Sequence, residues 1–346
     1  MSRLRAAPKL LAPSAALLIV AICCAPVAAQ DTVYVSSSRS ARGYTKLSGR
    51  VVDYTGRELR LVIPGTGEQS FPAGEVLRIE TQHVRQQVEA DAAFAKGEFA
   101  SALALYREAR TAESRVWVRR QITAAMVWCY RALGRPELAA EEFLLLIRSD
   151  PQTLHFECIP LAWVPSQPSV VLEQSARQWL TRQEMPAAVL LGASQLMSTA
   201  LRPAALARLR QLTADPDRRI AQLARAQTWR AAVVTADGEE LAGWQTAVEE
   251  MPQPLRAGPY YVLGLAWAQR QDWEQAALAF LRVPILYPQH RSIAARSLID
   301  AGQSLERTGG TGQAARLYRE LIETYPETRS ATEARNRLEE LAAQGA

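Results

Sequence analysis

Residues 270–288 read RQDWEQAALAFLRVPILYP, with a small residue at Ala276, an aromatic ring four positions on at Phe280, and a proline twelve after the alanine at Pro288. Positions four apart stand one above the other on a helix, so Ala276 and Phe280 share a face. Pro288 lacks the N–H that a helix interior needs and marks a stop. The intervals recur. In GEFASALALYREA (97–109) Ala102 and Tyr106 are four apart, with Gly97 five before the alanine. GRPELAAEEFLLLIRSDP (134–151) supplies Gly134, Ala139, Phe143 and Pro151, and GGTGQAARLYRELIETYP (309–326) supplies Gly309, Ala314, Tyr318 and Pro326. In the opening stretch the glycine position is taken by Gln271.

Each position has a physical task. The glycine ends a first helix, where the turn wants positive φ. The alanine lies where a second helix crosses the first, and only a small side chain lets the backbones approach. The ring one turn later fills the gap left between them. First helices are expected over VEADAAFAK (88–96), AAMVWCYRAL (124–133), YYVLGLAWAQR (260–270) and LIDAGQSLER (298–307). In the last two, Gly264 and Gly302 each fall twelve residues before the alanine, a second small residue at the crossing.

This pattern resembles the tetratricopeptide repeat, a helix–turn–helix unit of about 34 residues. The segment YPQHRSIAARSLIDAGQSL (287–305) resembles exported bacterial repeat proteins that act in envelope assembly, and YPETRSATEARNRLEEL (325–341) is similar to a final capping helix. The resemblance implies a mainly α chain, a TPR-like α-solenoid, with repeats over 84–154 and 258–343. Between them, 155–257 reads as divergent HEAT/TPR-like helical hairpins: PAAVLLGASQLM (186–197), PAALARLRQLTA (203–214), PDRRIAQLARAQTWRAAVV (216–234) and DGEELAGWQTAVEEM (237–251). Asp215 is the expected cap of the third, with Pro216 at its first position. VPSQP (164–168) reads as a loop or bend.

A small antiparallel β domain is expected before the repeats. KLSGRVVDYTGRELRLVIPGTGEQSFPAGEVLRIET (46–81) alternates apolar residues at Leu59, Leu61 and Ile63 and again at Leu77 and Ile79, punctuated by the turns DYTG and PGTG. Four short strands over 46–82 would make a curled sheet resembling an SH3-like or Sm-like barrel, too small to stand without packing on the first helices. Residues 30–45 read as a polar, flexible lead.

The first 29 residues differ from the rest. Arg3, Arg5 and Lys9 precede the apolar run LLAPSAALLIVAICCAPVAA (10–29), with small residues before Gln30, the order of a secretory signal. An uncleaved membrane anchor is the competing reading, although Pro13 and Pro26 leave the run short of a span of about 20 residues. The expected location is the periplasm or cell envelope. The formal net charge of +5 owes three positive charges and no negative ones to this segment, leaving +2 without it. Arg scattered among Glu and Asp is a solvated helix face rather than a nucleic-acid surface. Cys129 and Cys158 sit in apolar surroundings. They read as two buried free thiols, with one disulfide as the alternative.

Catalytic patterns are missing from the sequence. His83, His155 and His290 are far apart, and His290 in YPQH reads as a surface turn residue. His155 and Cys158 have the spacing of a metal pair without a second pair to complete it. TGGTG (308–312) lacks the lysine of a phosphate loop and sits where the repeat needs its turn. Acidic pairs such as Glu141–Glu142 and Glu249–Glu250 fall opposite the apolar stripe. No cofactor, metal or catalytic residue is expected.

The function expected from the resemblance is a non-catalytic scaffold that binds a protein or peptide on its concave face. The residues that the register places there are Gln87 and Asp91; Gln121, Trp128 and Arg131; Tyr261 and Gln269; and Arg296, Gln303, Glu306 and Arg307. A carboxylate clamp of Lys and Asn is not expected, since Asn336 is the one asparagine and no lysine follows Lys96. The alternative is a glycan-binding protein or enzyme with its site near 155–185, where Phe156, Trp163 and Trp179 could stack on a saccharide.

Overall fold

A computed structural model describes residues 30–37 and 43–344. The expected signal segment lies outside the described residues. Five strands come first: β1 (Asp31–Ser36), β2 (Tyr44–Tyr54), β3 (Glu58–Ile63), β4 (Gly67–Pro72) and β5 (Val76–Glu80). They form one antiparallel sheet in the order β4-β3-β2-β1-β5. The expected flexible lead is therefore corrected. Val33 and Val35 alternate inward with their neighbours outward, and Val33 pairs with Leu47 on one side and Ile79 on the other. That alternation makes 31–36 an interior strand instead of a tail. Leu59 and Leu61 complete the buried face, as expected from their spacing, with Val51 beside them, while Ile63 and Ile79 are half-buried and Leu77 is exposed.

The helices are α1 (Arg85–Ala95), α2 (Phe99–Ala112), α3 (Val116–Ala132), α4 (Pro136–Ser149), α5 (Val170–Leu180), α6 (Pro186–Leu196) and α7 (Arg202–Leu212). They continue with α8 (Arg218–Ala232), α9 (Gly238–Glu249), α10 (Ala257–Gln269), α11 (Trp273–Leu286), α12 (Arg291–Arg307), α13 (Thr311–Thr324) and α14 (Arg329–Gln344). The chain is a TPR-like helical repeat region preceded by a small β domain. Consecutive helices pair, and α6, α8, α10, α12 and α14 also pack in succession as one row.

The alanine-and-ring interlock is realised in all four units. Ala102, Ala139, Ala276 and Ala314 are fully buried, and Tyr106, Phe143, Phe280 and Tyr318 are at most 2% exposed. Each such ring contributes roughly 2–3 kcal/mol by leaving water. A Cβ placed on Gly264 would lie 2.6 Å from the Phe280 ring, and one on Gly302 would lie 2.3 Å from Tyr318. The turns obey the same logic: φ is +78° at Gly97, +66° at Gly134, +82° at Gly309 and +63° at Gln271.

The middle departs from expectation twice. Val170–Leu180 is a helix, started by Ser169, whose hydroxyl accepts a hydrogen bond from Leu172 N at 3.1 Å. α8 is capped by Asp217 rather than Asp215, because Asp215 accepts from Asp217 N at 2.8 Å and so closes the turn ahead of it. Between α4 and α5, residues 153–169 run across the inside of the helical row. Gln195 donates to Pro160 O, Gln227 and Arg230 both donate to Ala162 O, and Ser194 accepts from Ala162 N. These side chains satisfy backbone groups that no regular element pairs. Trp163 lies flat against α10 at Gly258, where a Cβ would come within 2.0 Å of its ring.

The sheet docks on the first helices. Arg120 on α3 reaches Asp53 at 2.7 Å, and the β2–β3 turn donates Gly56 N to Asp150 at 2.9 Å. A side chain at Gly56 would collide with the Gln152 carbonyl, 1.6 Å from its Cβ, so the contact needs glycine.

Candidate functional site

The curvature of the helical row brings the start of α12 back against α3. Where they meet, Phe94, Ala95, Gly97 and Phe99 from the α1–α2 turn, Trp128 and Ala132 from α3, and Pro288, Gln289 and Arg291 line a cleft of about 220 Å³. The repeat explains who stands there. Gly97 at positive φ turns the chain so that Phe94 and Phe99 flank it and meet edge to face, ring centres 5.4 Å apart. Pro288 stops α11, which leaves Gln289 and Arg291 at the opposite lip.

Arginines stack on rings in and beside this cleft. Arg131 lies 4.2 Å from the Trp128 ring centre, and Arg291 lies 5.3 Å from that of Phe99 and 4.9 Å from that of Tyr325. Such stacking is worth about 0.5–2 kcal/mol per pair, more where water is excluded. Arg291 also forms an ion pair with Glu327 at 2.7 Å. Arg131 has no carboxylate at ion-pair distance among the described residues; it donates to Cys158 O at 3.1 Å and to His290 Nδ1 at 2.9 Å. Burial lowers its pKa to about 10. His290 is itself buried, correcting the surface position expected for it: the Trp128 ring covers it edge-on at 4.9 Å.

Of the residues assigned to the concave face, Trp128 alone lines this cleft; Arg131 lies half-buried against its ring, bonded to Cys158 and His290. Tyr261 is buried, its hydroxyl donating to Asp300 at 3.1 Å, and is corrected from groove to core. Gln87 is buried as well. Arg296 clasps Asp300 and Glu333, and Gln303 donates to Glu333, so α14 covers them. Glu306 accepts from Tyr318 and Arg337. Asp91 accepts from the Tyr106 hydroxyl at 2.6 Å, and Arg307 lies 5.7 Å from the Trp273 ring centre. Gln269 is exposed. Gln121 lines a separate small hollow with Tyr54, Trp117 and His155.

Sequence reasoning missed Phe94, Phe99, His290 and Arg291. The signal available was their position immediately beside a repeat turn or stop. The saccharide platform is corrected, since Phe156, Trp163 and Trp179 are 3%, 5% and 3% exposed and form part of the core. Cys129 and Cys158 are buried free thiols. No cluster of His, Cys, Asp and Glu among the described residues is arranged to hold a metal ion, and no described helix is long and apolar enough to cross a membrane.

A family model for the tetratricopeptide repeat matches residues 296–328, which covers most of α12 and all of α13, including Gly302, Ala314 and Tyr318. No curated protein matches the chain. Units of this kind generally mediate protein–protein interaction, which supports a protein-interaction role in general terms.

Proposed function

We propose that the protein is a non-catalytic scaffold of the cell envelope that holds a partner polypeptide at the cleft between its first and last repeats. The observation that carries this reading is the cleft itself: Phe94, Phe99 and Trp128 face Arg291 across about 220 Å³ of free space. Aromatic and arginine anchors around a concavity are what binding hot spots are made of. The rest of the inner row offers less. Its polar side chains are engaged by α14 and by the segment 153–169, so an incoming chain would have to displace bonds already made.

Export rests on the basic and apolar order of residues 1–29, and the envelope as destination on the resemblance of the last repeats. The sheet, a meander whose fifth strand returns to the first, suits an SH3-like module, and its rigid seating on α3 supports a spacer role. A photo-crosslinker at Gln289 in the native host tests the site. The reading expects a discrete crosslinked partner that disappears in the Trp128→Ala variant while its melting temperature stays close to that of the parent. Crosslinking unchanged by Trp128→Ala removes the cleft as the site. Mass measurement of the native N-terminus tests cleavage after Ala29.

A further inference from the structure

His290 stands where the last repeats touch the first. It precedes α12 as its N-terminal flanking residue, it is 7% exposed, and its neighbours across the seam are Trp128 and Arg131 on α3. A guanidinium nitrogen only donates, so at 2.9 Å from Arg131 Nη2 the imidazole Nδ1 must accept. The neutral ring then carries its proton on Nε2, a buried atom with no hydrogen-bond partner.

The surroundings oppose a second proton. The titratable and charged groups around the ring are Arg131 on α3, Glu157 and Cys158 in the segment that Arg131 also holds, Tyr287 after α11, and Arg291 on α12. Arg291 is engaged by Glu327, and no carboxylate bonds the imidazole among the described residues. The N-terminal end of α12 adds a positive dipole. Burial and the Arg131 guanidinium hold the ring's pKa well below its ordinary value.

We propose that His290 is an acid-sensitive latch on the seam between the first and last repeats. Neutral, it accepts the Arg131 hydrogen bond and keeps α12 against α3. Protonated, it loses that bond and sets two cations side by side, and the cleft walled by Trp128, Pro288, Gln289 and Arg291 opens.

The sign follows from linkage. A ring released from the seam titrates near 6.5, and the seated ring titrates lower, so the released form binds more protons as pH falls below about 6.5. The opened population therefore rises by about tenfold per pH unit below that point, until the seated ring itself titrates. Opening need not unfold a repeat. α12 packs separately on α10, α11, α13 and α14, while Trp128, Arg131, Phe99 and Arg291 make up the seam contacts named above. The latch is independent of the partner reading, because it is measured on the protein alone.

The test places nitroxide labels on Lys96→Cys and Gln289→Cys, both exposed positions flanking the cleft, in the full protein. Cys129 and Cys158 are buried and free, so neither competes for the label in the folded chain, and Cys23 and Cys24 are replaced by serine in every labelled protein. Pulsed electron resonance between pH 7.5 and 4.5 is expected to show a longer-distance population that grows with acid. The His290→Gln variant, whose amide oxygen accepts from Arg131 but takes no proton, is expected to keep the short distance throughout. A distance unchanged over the range, or the same widening in His290→Gln, overturns the latch. Should that variant fail to fold, imidazole NMR of the parent decides. A His290 ring that titrates at or above 6.5 overturns the proposal, and one that titrates below it in step with the distance change upholds it.

Discussion

Arg120 Nη1 lies 2.7 Å from Asp53 Oδ1, joining the first turns of α3 to the end of β2 across 67 residues of sequence. The same guanidinium donates to the Ser149 hydroxyl at 2.9 Å, so one side chain ties the sheet, α3 and α4 together. Arg120 is 10% exposed at its side chain and Asp53 23%, so water competes weakly. Asp53→Ala is expected to cost about 2 kcal/mol, the range for a hydrogen bond to a charged group. Urea unfolding measures the loss. Hydrogen exchange is expected to localise it to β2, β3 and the first turns of α3, with α10–α14 unchanged.

Gly302 and Gly243 are both helical glycines with opposite reasons to be there. A Cβ on Gly302 would lie 2.3 Å from Tyr318, whereas nothing stands within 4 Å of one on Gly243. Gly302→Ala therefore forces the ring out of its slot and is expected to destabilise by about 1–3 kcal/mol. Gly243→Ala, on an exposed face of α9, is expected to stabilise by about 0.5–1 kcal/mol through lost chain entropy in the unfolded state. Melting curves of the two single variants should shift in opposite directions. A Gly302→Ala protein that melts no lower than the parent would show that the interlock has nothing to do with space at the crossing.

How much of this was legible without coordinates depends on the range of the cause. The repeat interlock is local: Ala276 and Phe280 lie one turn apart on α11, and the glycine they press on lies in the preceding helix. The strand at 31–36 was hidden because its polar flank SSSRSAR reads as a tail, while its pairing partners sit elsewhere in the chain. α5 was hidden because it opens on Val170 and Val171, which are 74% and 61% exposed and break the amphipathic pattern. The cleft could not be read at all. Trp128 and His290 are neighbours only because the whole row of helices curves back, which no window of sequence encodes. Arg296, Gln303 and Glu306 lie under α14, where Glu333 and Arg337 take up their bonds, a covering that the spacing within one repeat does not reveal.

Gln271 is the one residue other than glycine with positive φ among the described residues, at +63°, in the position that Gly97, Gly134 and Gly309 hold in the other units. A left-handed conformation costs a residue with a Cβ roughly 1–2 kcal/mol. Gln271→Gly removes that strain but loosens the unfolded chain, a loss of roughly 0.5–1 kcal/mol. The expected net gain is about 0.5 kcal/mol. The reverse change isolates the backbone effect: Gly309 has open space around its Cβ position, so Gly309→Ala is expected to lose about 1 kcal/mol from φ alone. Chemical unfolding of both variants checks the pair, and a loss at Gln271→Gly would mean its side chain contributes more than its conformation costs.

Cys129 on α3 and Cys158 beside Arg131 are both free, and burial pushes the Cys129 thiol up to about 12 and that of Cys158 higher still. Only the thiolate is alkylated, and at pH 8 a thiol of pKa about 12 is ionised in about one molecule in ten thousand. Neither cysteine is therefore expected to react with iodoacetamide while the helices are folded, whatever the oxidation state of the surroundings. Unfolding in guanidinium should expose both, and peptide mapping after alkylation should then find residues 129 and 158 modified together. Modification of Cys158 in the native protein at pH 8 would mean that the segment 153–169 leaves its bonds to Gln195, Gln227 and Arg230 on the timescale of labelling. In that case the inner face of the helical row is open to partners after all.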